Sequence, residues 1–222
     1  MIFRRRIFRC CLGMMALAAS ACRETPVEPG KESTSYRIEG TVTDRYGNAA
    51  IGVQVFLYYD YAYVDRNPPP SRSCTVDDST KPVTVGVFDQ HNALRRTLFQ
   101  GLPPASTFAV AWDHCDSAGV PMPSGVYTVQ YLVNGATRAS YPVVVDGGQV
   151  AVTNGSGKFV VPEENLPVGF YPAPLFTSDS SYFYGNYQIT SRVYLAFVTP
   201  QDNFSRAVDL LKGQVNVLDV TI

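Results

Sequence analysis

The sequence predicts an all-β protein, and three observations carry the prediction. Apolar and polar residues alternate over short runs, as at Ile38, Gly40 and Val42 or at Phe108, Val110 and Trp112, with the period of a half-buried strand. Gly, Pro, Thr, Val and Tyr are abundant, with 17 Gly, 16 Pro and 14 Tyr in 222 residues, which suits strands joined by tight turns. Charged residues make up only 17%, too few for a helical bundle, and 12% aromatics exclude a disordered chain. The length allows one large or two small domains.

The first segment, "MIFRRRIFRCCLGMMALAASAC", is set aside from the fold. Arg4, Arg5, Arg6 and Arg9 form a basic start, Cys10 to Leu17 a short apolar run, and Ala18 to Ala21 a small-residue cleavage region. The apolar run is shorter than the ~20 residues of a permanent membrane helix. The segment resembles a bacterial lipoprotein signal whose box ends at Cys22, the expected lipidation site. Ala19 stands where Leu is usual, so an ordinary signal-peptidase cut stays open. Residues 1–21 are the expected signal peptide and 22–35, rich in Pro, Glu and Ser, a flexible tether. Cleavage removes four of 18 Lys and Arg and none of 19 Asp and Glu, leaving an acidic chain. No basic stripe is present, so nucleic acid is not an expected partner. Arg23, rather than Asp, follows Cys22. By that resemblance the chain is anchored to the outer membrane through its N-terminal lipid, on the periplasmic or the surface side.

The first strands lie in "YRIEGTVTDRYGNAAIGVQVFLYYDYAYV". Asp44 to Asn48 supply turn chemistry, and a second strand runs from Val53 towards Tyr63. The pattern I-x-G-x-V-x-D-x-x-G, then "IGVQV", resembles the carboxypeptidase regulatory-like (transthyretin-like) β-sandwich, with Ala49 in place of a common Pro and Val53 of a common Ala. The next elements of that family appear about a hundred residues later, in "VAVTNGSGKFVVPEENLPVGFY". Val152, Thr153, Gly157, Phe159, Leu166, Pro167, Gly169 and Tyr171 stand in matching places and Asn154 replaces Asp. "YQITSRVYLAFV" and "VDLLKGQVNVLDVTI" close the chain, the latter as two strand-like runs around a Lys-Gly turn. The resemblance therefore implies a split sandwich, 36–66 plus 148–222.

The intervening stretch resembles the immunoglobulin-like domain of the flagellar hook-capping family. It matches at Phe88-Asp89, Leu98, Leu102, Val110, Trp112-Asp113, Asp116, Gly119, Gly125 and Tyr127, with Asn92 for a turn Gly and His114-Cys115 for Gly-Arg. The expected fold is thus all-β with two β-sandwich modules, the Ig-like one, 80–146, inserted into the transthyretin-like one. The Pro68 to Pro70 run and Gly147-Gly148 are the expected junctions. Trp112, the only Trp, reads as a core plug on an alternating strand with Phe108 and Val110.

For chemistry, Cys74 and Cys115 remain as an even pair in an exported chain, which points to a disulfide. By loop-closure entropy such a bridge is worth roughly 4 kcal/mol. Asp113 and Asp116 flank His114 but miss the calcium-loop spacing, and a zinc site would have to bring His91 and His114 together without a Cys cluster. Ser156 in "NGSGK" lacks both the nucleophile-elbow and phosphate-loop spacings and reads as a hairpin turn. No catalytic set, metal site or cofactor is expected. The strongest lead is aromatic: "FLYYDYAYV" and "SSYFYGNYQ" are dense in Tyr, a residue offering a stacking face and a hydroxyl to sugars or peptides. Tyr182, Phe183, Tyr184 and Tyr187 are the candidate ligand contacts. The expected function is a non-catalytic envelope lipoprotein that binds or scaffolds a protein or glycan. The alternative is a carbohydrate-processing or other hydrolase using carboxylates of a cleft between the modules.

Overall fold

The computed structural model describes residues 36–69, 71–169, 173–177, 179 and 181–222; the expected signal peptide and tether, Cys22, Pro70 and Tyr171 lie outside them. The described residues form fifteen strands and one turn of 3-10 helix at Glu163–Asn165. No helix among them is long and apolar enough to cross a membrane. The chain begins with β1 (Arg37–Thr43), β2 (Gln54–Asp65), β3 (Ser73–Thr75), β4 (Val83–Phe88) and β5 (Leu94–Gly101). It continues through β6 (Thr107–Ala109), β7 (Gly125–Val133), β8 (Ala136–Val145), β9 (Gly148–Val152) and β10 (Lys158–Val161). It ends with β11 (Ala173–Phe176), β12 (Phe183–Val198), β13 (Asn203–Asp209), β14 (Val215–Val217) and β15 (Val220–Thr221).

Strands before residue 66 share their sheets with strands after residue 147. One sheet runs β10-β1-β14, with β15 also on β1, and the other runs β11-β12-β2-β9, with β13 on the same edge of β12 as β11. Ile38 and Val42 of β1 face Val55 and Leu57 of β2 and Val193, Leu195 and Phe197 of β12 across a common core, all fully buried. The two runs around Lys212-Gly213 do not pair as a hairpin. β13 extends the larger sheet while β14 crosses to lie parallel to β1. The buried Asn216 accounts for that crossing, since its side chain bonds the Leu211 N–H at 2.8 Å and the Arg37 carbonyl at 3.1 Å.

Strands between residues 73 and 145 pair only with one another, as β5-β4-β7-β8 and β3-β6. Val83, Val85 and Val87 meet Val129, Tyr131 and Val133 in a second core. β3 precedes the expected start of the insert at residue 80, yet Cys74 and Val76 are buried in this core. β7 serves both cores: Tyr127, Val129 and Tyr131 face the second, while Val126 on its other side enters the first.

One turn recurs four times. At Asp44, Asp89, Asp116 and Asn154 the side-chain Oδ1 accepts the N–H groups two and four residues on, at 2.8–3.0 Å. The residue three positions on is left-handed in each: Gly47, Asn92, Gly119 and Gly157, with φ between 59° and 83°. Only Gly or Asn takes that conformation cheaply, which is why D-x-x-G recurs in the text.

Candidate functional site

β2 and β12 run past the first core together, and burial fades along them. Tyr59 is 5% exposed and Tyr63 56%. Tyr59, Tyr61, Tyr187 and Tyr63 form an edge-to-face series along this side, with centroids 5.6–6.5 Å apart. The inner end is fixed by polar contacts: the Tyr59 hydroxyl donates to the Asn165 carbonyl at 2.8 Å and the Tyr61 hydroxyl to Asp146 at 3.0 Å. Burial, then the neighbouring Asp146 charge, pushes the Tyr61 hydroxyl well up from the ordinary phenol range, while burial raises the Asp146 carboxyl. Gly185 is required here. Its φ is +145°, and a Cβ would lie 2.8 Å from the Tyr63 ring.

The far end of β12 is closed by the connection from β11. Thr177 N–H donates to the Tyr182 carbonyl at 2.9 Å and Tyr182 N–H to the Thr177 hydroxyl at 3.0 Å. Asp179 accepts from Ser181 N–H at 2.9 Å and from the hydroxyls of Ser181 and Thr177, and these bonds, Thr177's first, hold its pKa at about 2. Tyr182 and Tyr184 follow on one side of the strand, 47% and 49% exposed, with centroids 5.4 Å apart at 71°. Arg66, just past β2, sits over the Tyr182 ring at 5.3 Å and donates to the Tyr182 hydroxyl and, at 3.4 Å, to the Phe183 carbonyl.

The four aromatic residues singled out in the sequence therefore divide. Tyr182 and Tyr184 share one exposed face. Phe183 and Tyr187 turn to the other and are half-buried, Phe183 against Phe176 at 5.4 Å and Tyr187 within the tyrosine series. Arg66 was not foreseen; its only signal is that a cation follows a Tyr-rich strand directly.

Two grooves lie between the strand sets. One, of about 670 Å³, is lined by Arg72, Trp112, His114, Tyr141, Val144 and Phe176. Arg72 lies 3.6 Å over the Phe176 ring. Burial lowers His114, so the imidazole is neutral at pH 7. The other, about 450 Å³, carries Asp89, His91, Arg95, Asp116, Tyr127 and Glu164. The two histidines thus face different grooves. Burial pushes the Asp89 carboxyl up, but the turn N–H groups and Arg95, 2.5 Å away, outweigh it and hold it below the usual range. Asp113 is held low by the Cys115 N–H and by Arg96 at 2.6 Å.

Trp112 is not the centre of a core. β6 ends at Ala109, and Trp112 is a half-buried flank: its indole N–H donates to the Cys115 carbonyl at 2.8 Å and its ring meets Tyr127 at 5.4 Å. The expected disulfide is also absent, Cys74 and Cys115 being free thiols. Cys74 is buried in β3 against the second core, while the Cys115 sulfur turns back to the Asp113 carbonyl at 3.6 Å. No protein-family model, curated protein or solved structure matches the chain.

Proposed function

We propose that this chain is a lipid-anchored protein of the cell envelope that binds a partner through the tip of β12 and performs no catalysis itself. Its strands form two β-sandwich modules, the later one inserted into the earlier. The observation that carries the binding role is the tip itself. Two half-exposed tyrosines stand side by side on a strand end, one clamped by Arg66, on a turn tied down by Asp179. Exposed aromatics cost solubility, and rings held rigid lose little entropy when a ligand stacks on them. In the recurring turns Asp89 and Asp116 each give Oδ1 to two backbone N–H groups, a structural use of the carboxylate.

The N-terminal segment supports export and lipidation at Cys22, and Arg23 supports outer-membrane anchoring by the resemblance given above. Two measurements test the reading. Cells fed a fatty-acid analogue should label the wild-type chain and not Cys22→Ala. Captures from envelope extracts and glycan arrays should lose their partner when Tyr182 and Tyr184 are both changed to Ala. Equal labelling removes the anchor, and an undiminished capture removes the tip.

A further inference from the structure

The ligand's chemistry can be narrowed from the same tip, an argument that rests on its being a binding surface. Size comes first. A tyrosine presents ~150–250 Å² at most, so two half-exposed rings offer about that much in total. A stable protein partner covers about 800 Å² on each side. The tip matches a chain of sugars better than a protein face.

Backbone pairing is closed just behind the tip. At Asn186 and Tyr187, β12 has β11 on one edge and β2 on the other, so no peptide strand can add at those two residues. Side chains are left to supply recognition there, and the donors are at hand. Nε and Nη1 of the exposed Arg66 bond nothing among the described residues, its Nη2 being the atom used on Tyr182 and Phe183.

Charge then separates neutral from acidic ligands. Asp65 precedes Arg66, and Asp179 anchors the turn that holds Tyr182. Bonds from Asn186 and then Asn67 lower Asp65, and those from Thr177 and Ser181 hold Asp179 at about 2, so both are ionised at neutral pH. A polyanion would meet two carboxylates for one guanidinium. Finally, rings at 71° cannot both lie flat on one crystalline face, whereas a single flexible chain can present a different sugar to each.

We propose that the tip takes a soluble, neutral glycan chain, its C–H faces stacked on Tyr182 and Tyr184 and its hydroxyls accepting from Nε and Nη1 of Arg66. The test is affinity electrophoresis of the full chain, in non-ionic detergent, through gels holding soluble xylan, galactomannan or dextran. Polygalacturonate serves as the acidic control and sedimentation with cellulose crystals as the flat one. At least one neutral polymer should retard the protein. Tyr182→Ala with Tyr184→Ala should weaken that affinity more than about tenfold, and Arg66→Gln about fivefold. Thermal melts of the variants should match wild type, since all three side chains are exposed. The proposal is overturned if no neutral polymer retards the chain, if retardation survives the double variant, or if polygalacturonate or the crystals bind better. Should the double variant lose an envelope protein while no glycan binds, the glycan assignment fails and the binding role stands. Should it lose neither, both fail.

Discussion

Replacing Ser124 by Ala removes one hydroxyl that ties the two sets of strands together. Ser124 is fully buried at the start of β7, its Oγ donating to the Leu57 carbonyl of β2 at 2.6 Å and accepting the Gly148 N–H of β9 at 2.7 Å. Leu57 keeps a second partner, the Gly147 N–H at 2.9 Å, so the heavier loss falls on Gly148. A buried hydrogen bond contributes about 1 kcal/mol net, and a stranded buried amide costs about 1–3 kcal/mol. The side chain loses a single oxygen, so cavity cost is small and the sum is about 2 kcal/mol. Water cannot rescue the amide easily, because Met122 and Pro123 backbone atoms lie within 2.7 Å of where a Gly148 Cβ would stand. For a chain of this size that lowers Tm by about 4–8 °C. Urea unfolding read by far-UV circular dichroism and by Trp112 fluorescence should show the same shift in both signals, since the lost bonds join both sets. A destabilisation under about 0.5 kcal/mol would falsify the claim that this hydroxyl is a structural tie.

Gly40→Ala should destabilise by about 3 kcal/mol, the upper end of overpacking, because its Cβ would sit 1.8 Å from the Leu218 carbonyl oxygen; a melt within 2 °C or so of wild type would contradict this. Alkylation followed by peptide mapping should modify Cys115 at least about tenfold faster than Cys74, which is 1% exposed and whose thiol burial pushes up. Equal rates, or protection of both until a reductant is added, would refute the free-thiol assignment. Asp44 is lowered by its bond from the Asn48 side chain and then by turn N–H groups, so its stabilisation is full above its unfolded pKa and disappears as pH falls through the lower folded one. Since Asn154 makes the same turn uncharged, Asp44→Asn should fold normally at pH 7 and lose less stability than wild type below about pH 4. Parallel acid titrations of the two proteins would count against that explanation.

The local text was readable wherever a residue type has one cheap use. D-x-x-G, N-x-x-G and, at Asp89, D-x-x-N mark the four recurring turns because an acceptor at the first position and a left-handed fourth residue are both needed there. Alternation placed β1, with Ile38 and Val42 inward, and the strand expected from Val53 towards Tyr63 lies at β2. Ser124 was invisible, being a serine between a proline and a glycine, and nothing local says that two strands from elsewhere converge on it. Gly40 was legible as part of a motif, while the reason, the Leu218 carbonyl passing against it, comes from 178 residues away. The four aromatic candidates, read between turn signals, lie at and just before the start of β12. Their division between two faces follows the alternation of the strand, Tyr182 and Tyr184 on one side and Phe183 and Tyr187 on the other. The cysteine count pointed to a bridge because parity ignores direction, and β3 aims Cys74 into a core that Cys115 never enters.

Nesting of the modules is the remaining expectation, and strand pairing gives it definite consequences. A chain ending at residue 146 lacks β9 to β15, leaving β1 without any partner and β2 without β9 and β12. It should retain the second core, built wholly from residues 74–145, and show no unfolding transition of the first. The reciprocal deletion, 67–145, brings Arg66 to Asp146. These ends are not adjacent: Asp146 bonds the Tyr59 N–H at 3.0 Å, and Arg66 lies seven residues further on, just past the end of that strand. At about 3.3 Å per residue that gap is about 23 Å, so a two- or three-residue linker should tear β2 open while ten Gly and Ser residues should span it. Removing the later set also takes Val126 and Val144 from the first core, at roughly 2–3 kcal/mol for the buried Val126 and less for Val144. The longer-linked chain should consequently fold with a lower Tm and a cooperative transition. Failure of that chain to fold, or a first-core transition in the 146-residue truncation, would mean that the two strand sets are a single cooperative unit.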